Sequence, residues 1–383
     1  MKKIIKIIII LVLVALIAVG GYLLWQYFNT GGSTVGTPTP TPGYTAAPAP
    51  KITPKNTSTA TTTNNNTESQ LSIWGTSEVI GYYFRNRSAI ALRPDGQVLS
   101  ILGTGETIKN PATLKEKIIS ITPSFDGRWF IEKWGSTNNP RFSLFDVENN
   151  TWTTFSDLYF MDMDFSPNES KIVYLEDLAG KITLGIMDLT KKTGAEFSRN
   201  PIMSLFLRDM VISWPSSDSI ILSDKPSYRV FGSTWKYSIS TNKFEPLVSG
   251  RSGTWIKWDK KTGYGIQFSH LDEDKLEIIN TNGETIFTSP VLTFPDKCIT
   301  TTDILYCALP QNMALNKLLP DDYLKKSFYT NDTFYKFNLK NGEMKQLFTA
   351  SAPVKIDAIN LVLENGKLYF INRYDRKLYQ LSM

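Results

Sequence analysis

The sequence predicts an all-β domain of repeated four-stranded antiparallel units, and three observations predict it. From Glu78 onward apolar residues alternate with period two: Met161, Met163 and Phe165 share one strand face, as do Leu276 with Ile278, and Tyr335 with Phe337 and Leu339. Strand-like groups recur at a spacing typical of β-propeller blades, about 40–50 residues each. Asn-Gly and Asp-Gly pairs at Asp126-Gly127, Asn282-Gly283, Asn341-Gly342 and Asn365-Gly366 supply the positive φ that tight hairpin turns need.

The units follow in order. Strands at Ile118–Ile121, Met161–Phe165, Met210–Trp214, Trp255–Trp258, Cys298–Thr301 and Ile359–Leu363 each open a unit, which favours six blades. The last unit lacks a clear fourth strand. The hairpin of Ile90–Leu92 and Val98–Leu102 is expected to complete it, closing the ring and hiding the sheet edges. A further strand at Val79–Phe84 leaves room for a seventh blade. The β-propeller is assigned to residues 78–383.

Phe165-Ser166-Pro167-Asn168-Glu169 resembles the Ser-Pro-Asp-Gly repeat of TolB-type propellers, and Ser124-Phe125-Asp126-Gly127 is a weaker copy. Trp214-Pro215-Ser216-Ser217-Asp218 and Trp258-Asp259-Lys260-Lys261 depart further. The layout also resembles single-pass membrane-anchored bacterial propeller proteins. The resemblance implies a WD-like binding platform rather than a catalyst; fold does not fix function.

The N-terminal run from Ile7 to Phe28, broken only by Gln26, is long enough for a transmembrane helix, which needs about 20 apolar residues. Lys2, Lys3 and Lys6 precede it, so the positive-inside rule puts the N-terminus in the cytoplasm and the propeller outside. Ala18-Val19-Gly20 offers a rival, a cleaved signal peptide, but Tyr22-Leu23-Leu24-Trp25 carries the apolar run past it. Residues 29–77, rich in Thr, Pro and Asn, read as a disordered linker with too little apolar surface to offset ordering. A single-pass membrane protein with an extracytoplasmic propeller is the expectation.

The chain holds 41 basic and 36 acidic residues. Removing the five lysines and Glu68 of residues 1–70 leaves 36 and 35, a near-neutral domain. Nucleic-acid binders concentrate basic excess on the domain, so none is expected as a partner.

Candidate sites are few, and no catalytic, cofactor or metal constellation emerges. Cys298 and Cys307 are direct cross-strand neighbours if the hairpin turns at Thr302-Asp303; they form either a disulfide or two buried thiols. His270, the sole histidine, stands beside Ser269 and the acids Asp272, Glu273 and Asp274 in an expected hairpin loop, where letters alone do not make a triad. That acidic run lacks the spacing of a calcium loop. Asp162 and Asp164 share a face and, on an innermost strand, approach the channel, where paired carboxylates do acid–base work. The insertion Asn312–Lys326 carries Leu315, Leu318, Leu319 and Tyr323, which mark a partner-binding surface if exposed.

The first functional expectation is a non-enzymatic protein-binding or scaffold module of the cell envelope. Its partners are the membrane, through the N-terminal helix, and another envelope protein or a glycan. The alternative is a glycan- or peptide-directed hydrolase or a glycan-binding propeller. A sensor signalling through the helix ranks third.

Overall fold

The computed structural model describes residues 70–383, apart from 112–115, 138, 156–157, 194–195, 271–272, 314–315 and 351–352. The described residues form 27 strands, one short helix and one 3-10 turn.

Strand β1 (Leu71–Ile73) precedes a first unit of β2 (Gly81–Arg85), β3 (Ser88–Leu92), β4 (Val98–Leu102) and β5 (Gly105–Asn110). The second is β6 (Ile118–Pro123), β7 (Trp129–Gly135), β8 (Pro140–Asp146) and β9 (Thr151–Thr154). The third is β10 (Phe160–Phe165), β11 (Lys171–Leu178), β12 (Lys181–Thr193) and β13 (Glu196–Leu205). Next come β14 (Met210–Ser216), β15 (Ser219–Asp224), β16 (Phe231–Ser238), β17 (Lys243–Trp258), β18 (Gly265–His270), β19 (Asp274–Ile279) and β20 (Thr285–Thr288). After the 3-10 turn Pro295–Lys297 follow β21 (Cys298–Thr300), β22 (Ile304–Pro310), the helix α1 (Asp321–Leu324), β23 (Asp332–Asn338) and β24 (Met344–Thr349). The chain ends in β25 (Ala358–Glu364), β26 (Lys367–Asn372) and β27 (Leu378–Ser382).

All pairings are antiparallel, in five four-stranded sheets and one of seven strands. The seven-stranded sheet is two units fused through β17. Lys243–Ser252 of that strand pairs with β16, and Ser252–Trp258 pairs with β18. Counting the fused pair separately gives seven four-stranded units, where the opening strands visible in the sequence favoured six.

The packing explains why they form a ring. An antiparallel sheet apolar on both faces has to be covered on both. Six buried clusters each join two neighbouring units. Phe130 and Phe145 of the second unit meet Ile90 and Leu92 of the first, and Phe334 of the sixth meets Leu368 and Phe370 of the seventh. Ala89 and Leu99 of the first unit meet Tyr369 and Leu378 of the last, closing the circle. The junction between fourth and fifth units is the one where β17 runs through. The first strand of each unit lies innermost: β2 neighbours β6, β6 neighbours β10, β10 neighbours β14, β14 neighbours β17, and β25 neighbours both β21 and β2.

Two sequence expectations are corrected here. The fourth strand of the last unit is β1, with Leu71 opposite Leu381 and Ile73 opposite Tyr379. The hairpin assigned to that role instead lies inside the first unit, because Gly81–Arg85 pairs with Ser88–Leu92 and supplies its inner strand. The linker boundary at residue 77 consequently falls too late: Leu71–Ile73 belongs to the β domain. Three residues are too short for periodicity to register, and only the distant partner strand selects them.

The expectation of a single-pass membrane protein with an extracytoplasmic propeller is also corrected. Among the described residues no helix is long and apolar enough to cross a membrane. The segment Ile7–Phe28 lies outside the described residues.

Candidate functional site

The inner strands end at a common mouth. There a cavity of about 780 Å³ opens, lined by residues from six of the seven units. Tyr83 and Phe84 come from the end of β2, Phe125 from the turn after β6, Trp258 from the end of β17 and Lys261 from the turn after it, and Val362 from β25. Phe125 is 50% exposed. Its position follows from the turn chemistry. Ser124 Oγ donates to Asp126 Oδ1 at 2.6 Å, Asp126 Oδ1 accepts the Arg128 amide at 3.0 Å, and Ser124 Oγ accepts the Trp129 amide at 3.0 Å. With Ser124 and Asp126 spent on the backbone, Phe125 between them is turned outward. Ser166 does the same work in the next unit, accepting the Glu169 amide at 3.2 Å.

The paired carboxylates of β10 are already occupied. Asp162 Oδ2 accepts the Ile212 amide at 2.9 Å and Asp164 Oδ2 accepts the Trp214 amide at 2.8 Å. Both amides belong to the inner strand of the next unit. Adjacent inner strands share no backbone ladder, so these side chains stitch β10 to β14 in its place. The remaining oxygens receive Lys133 Nζ at 2.8 Å and Lys260 Nζ at 2.5 Å. The sequence grouped Asp162 with Asp164 correctly as neighbours; the structure gives each a backbone donor and a cation. Lys257, in the cavity wall, donates to the Cys298 carbonyl at 3.1 Å; burial pushes its ammonium below the ordinary lysine value, against Asp296 and Asp259.

Cys298 stands opposite Cys307 in the β21–β22 register, and the two sulfurs are bonded, with Cα atoms 4.2 Å apart. His270 is not in a loop: it ends β18 and pairs across the ladder with Asp274, its Nδ1 lying 2.9 Å from Asp274 Oδ1. The Tyr228 ring lies 5.3 Å from it. The neighbouring Ser269 Oγ faces Arg251 Nη1 at 3.4 Å instead. Glu273 pairs with Lys275 at 3.3 Å, and Asp272 lies outside the described residues. Among the described residues no group of three His, Cys, Asp or Glu side chains is placed to hold a metal ion.

The insertion differs from expectation. Leu319 and Tyr323 are 4% and 3% exposed, so they form core rather than surface. Leu318 is 40% exposed, and Leu315 lies outside the described residues. The Tyr323 ring stacks on Phe294 at 3.8 Å and its hydroxyl donates to Asp296 at 3.0 Å. Asp321 accepts the Tyr228 amide at 2.5 Å, and Pro320 lies against Gly253, where a Cβ would sit 2.9 Å from its ring. The insertion thus fastens itself to the fourth, fifth and sixth units at the end where the inner strands begin. At that end the insertion covers these three units only; the opposite mouth is open.

Two features escaped the sequence. Lys297 is fully buried between Asp332 and Asp357, 2.6 Å from each, and Arg373 adds a contact of 3.1 Å to Asp357. Burial raises the Asp332 carboxyl despite Lys297. Glu132 on β7 is equally buried, neither oxygen has a partner, and burial pushes its pKa up to about 8. Alternation carried the only signal: Phe130, Glu132 and Trp134 share one face of a strand whose Phe130 is core.

No protein-family model matches this chain. No curated protein matches it. Its structural neighbours include a propeller domain. The β-propeller domain of Cps50 (Swd1) from Myceliophteria thermophila is 10% identical, covers 82% of this chain and 99% of its own, with a TM-score of 0.52. A chain of a mitotic checkpoint complex is 11% identical, covering 86% of this chain and 99% of its own, with a TM-score of 0.49. BamB from Moraxella catarrhalis is 11% identical, covering 82% and 100%, with a TM-score of 0.46. At such identities the first likeness speaks to fold alone, and it agrees with the ring of four-stranded units: the chain is a β-propeller.

Proposed function

We propose that this propeller is a non-enzymatic protein-binding module that receives a segment of its partner at the open mouth. One observation carries the reading: six units converge on a cavity of about 780 Å³ whose rim presents the half-exposed Phe125, while Asp126 and Asp259 in its wall are spent on the Arg128 and Lys261 amides. Concave surfaces with aromatic anchors favour binding. The turns at Ser124 and Ser166 also support placing the repeats with TolB-type, WD-like platforms.

The test is a photo-crosslinking phenylalanine analogue at position 125 of the full chain, expressed in cells, with an identical probe at Ile286 on the outer strand β20 as control. A protein adduct specific to position 125, and lost when Lys261 and Val362 are both changed to Glu, is the expected result. Equal adducts at both positions, or none at 125, overturn the reading.

A further inference from the structure

Among the described residues, Arg85, Lys257, Lys260 and Lys261 are the cations that line the open mouth. Arg85 pairs with Glu148 at 2.6 Å. Lys260 pairs with Asp164 at 2.5 Å and also donates to the Phe165 carbonyl at 2.8 Å. Lys257 is different. It has no ion pair among the described residues, and its ammonium donates to one acceptor, the Cys298 carbonyl at 3.1 Å. Cys298 lines the same cavity, so the ammonium lies at the cavity wall. An ammonium carries three donors, and most of that capacity is unspent. Lys257 also stands deeper than Lys261: it is the last residue but one of β17, and Lys261 lies in the turn beyond.

The acids around Lys257 are engaged elsewhere. Asp259 Oδ1 accepts the Lys261 amide at 2.8 Å, and its Oδ2 accepts the Thr300 hydroxyl at 3.1 Å. Asp296 receives the Tyr323 hydroxyl on its two oxygens, at 3.0 and 3.1 Å. Both attract Lys257, yet burial outweighs them and holds its ammonium below the ordinary lysine value. Asp126 is tied to Ser124 and to the Arg128 amide. Glu364 and Lys261 are the other wall charges without an ion pair among the described residues, and their signs offset. A half-buried cation short of acceptors gains most from a ligand that supplies one as an anion.

We infer that the partner segment received at the mouth carries an acidic side chain, whose carboxylate accepts from Lys257 while its apolar neighbours pack on Phe125. The inference rests on the protein-binding reading above and names the chemistry that the mouth selects. A lone ammonium suits a side-chain carboxylate; a chain terminus is held by runs of backbone N–H groups.

The experiment selects C-terminally amidated random octapeptides on the full chain and on its variants. The wild type should enrich Asp or Glu about tenfold at one position. Lys257→Arg should keep that preference. Lys257→Gln, which retains a donor for the Cys298 carbonyl, should lose it and still select apolar peptides. A selected peptide and its counterpart with Gln in place of the acid should differ by about tenfold in Kd on the wild type and bind Lys257→Gln equally. An acidic preference that survives Lys257→Gln, or equal affinity of the two peptides for the wild type, overturns the inference and leaves the protein-binding reading standing. No selection at all, or selection unaffected by the paired change of Lys261 and Val362 to Glu, overturns both.

Discussion

The two ends of the ring handle charge and aromatic surface in opposite ways. At the open mouth Lys257 and Lys260 are half-buried and tied to strands of other units, and Phe125 is left outside. At the covered end Lys297, Asp332 and Asp357 have no contact with solvent, and Tyr323 and Phe294 close over them. A buried charge is tolerated where its partners are fixed before water is excluded, and here the partners come from the sixth and seventh units together. Charge at the covered end is thus sealed between units, while the open mouth leaves an aromatic ring exposed.

The largest expected effect lies at neither end and serves as the reference for both. Glu132 has a folded pKa of about 8 against an ordinary 4.5. The unfolded chain ionises first, so the folded state holds the extra proton between those values, and stability falls as pH rises from about 4.5 to 8. By linkage the loss reaches up to about 5 kcal/mol, less whatever relaxation around the charge recovers. Glu132→Gln should remove that slope, raising urea midpoints at pH 8 while leaving those at pH 4.5 nearly unchanged. A variant with the wild-type slope would place the titrating group elsewhere.

Lys297→Met strands two buried carboxylates and should cost about 3–5 kcal/mol in chemical denaturation at neutral pH. A cost below about 1 kcal/mol would mean that the covered end is not held by its ions. Tyr323→Ala removes a stacked ring and the hydroxyl on Asp296, with an expected loss of about 3 kcal/mol. Limited proteolysis should then cut residues 312–330 first, since the insertion loses its anchor while the sheets keep theirs. Equal cleavage throughout the chain would argue against a separable cover.

Opening the Cys298–Cys307 bond, by Cys307→Ser, is expected to cost about 2–3 kcal/mol for so short a loop, read as a fall in Tm. The smallest effect belongs to the open mouth. Phe125→Ser touches a half-exposed side chain and should move stability by less than about 0.5 kcal/mol. That contrast with Tyr323, an aromatic of similar size, is the sharpest form of the comparison between the ends.

Local sequence carried most of the strands. Period-two runs such as Met161–Phe165 and turns such as Asn365-Gly366, whose φ values of 49° and 73° suit a tight hairpin, depend on neighbours a few residues away. The facing of Cys298 and Cys307 is equally local, since a short hairpin sets its own register. The candidate site was legible only in outline. Asp162 and Asp164 stood out as a pair, but their partners at Ile212 and Trp214 lie 50 residues on.

What the sequence by itself determined is what short range can determine: an all-β domain, its four-stranded repeat, and most of its turns. The tertiary structure alone decided how many units make the ring, that β1 closes it from outside the apparent domain, and that β17 serves two units. It also decided which insertion side chains face inward. Leu318 and Leu319 are neighbours of one residue type, yet one is solvated and the other is core. Hydrophobicity states that a side chain gains by burial; only the packing of distant strands supplies the place where it is buried.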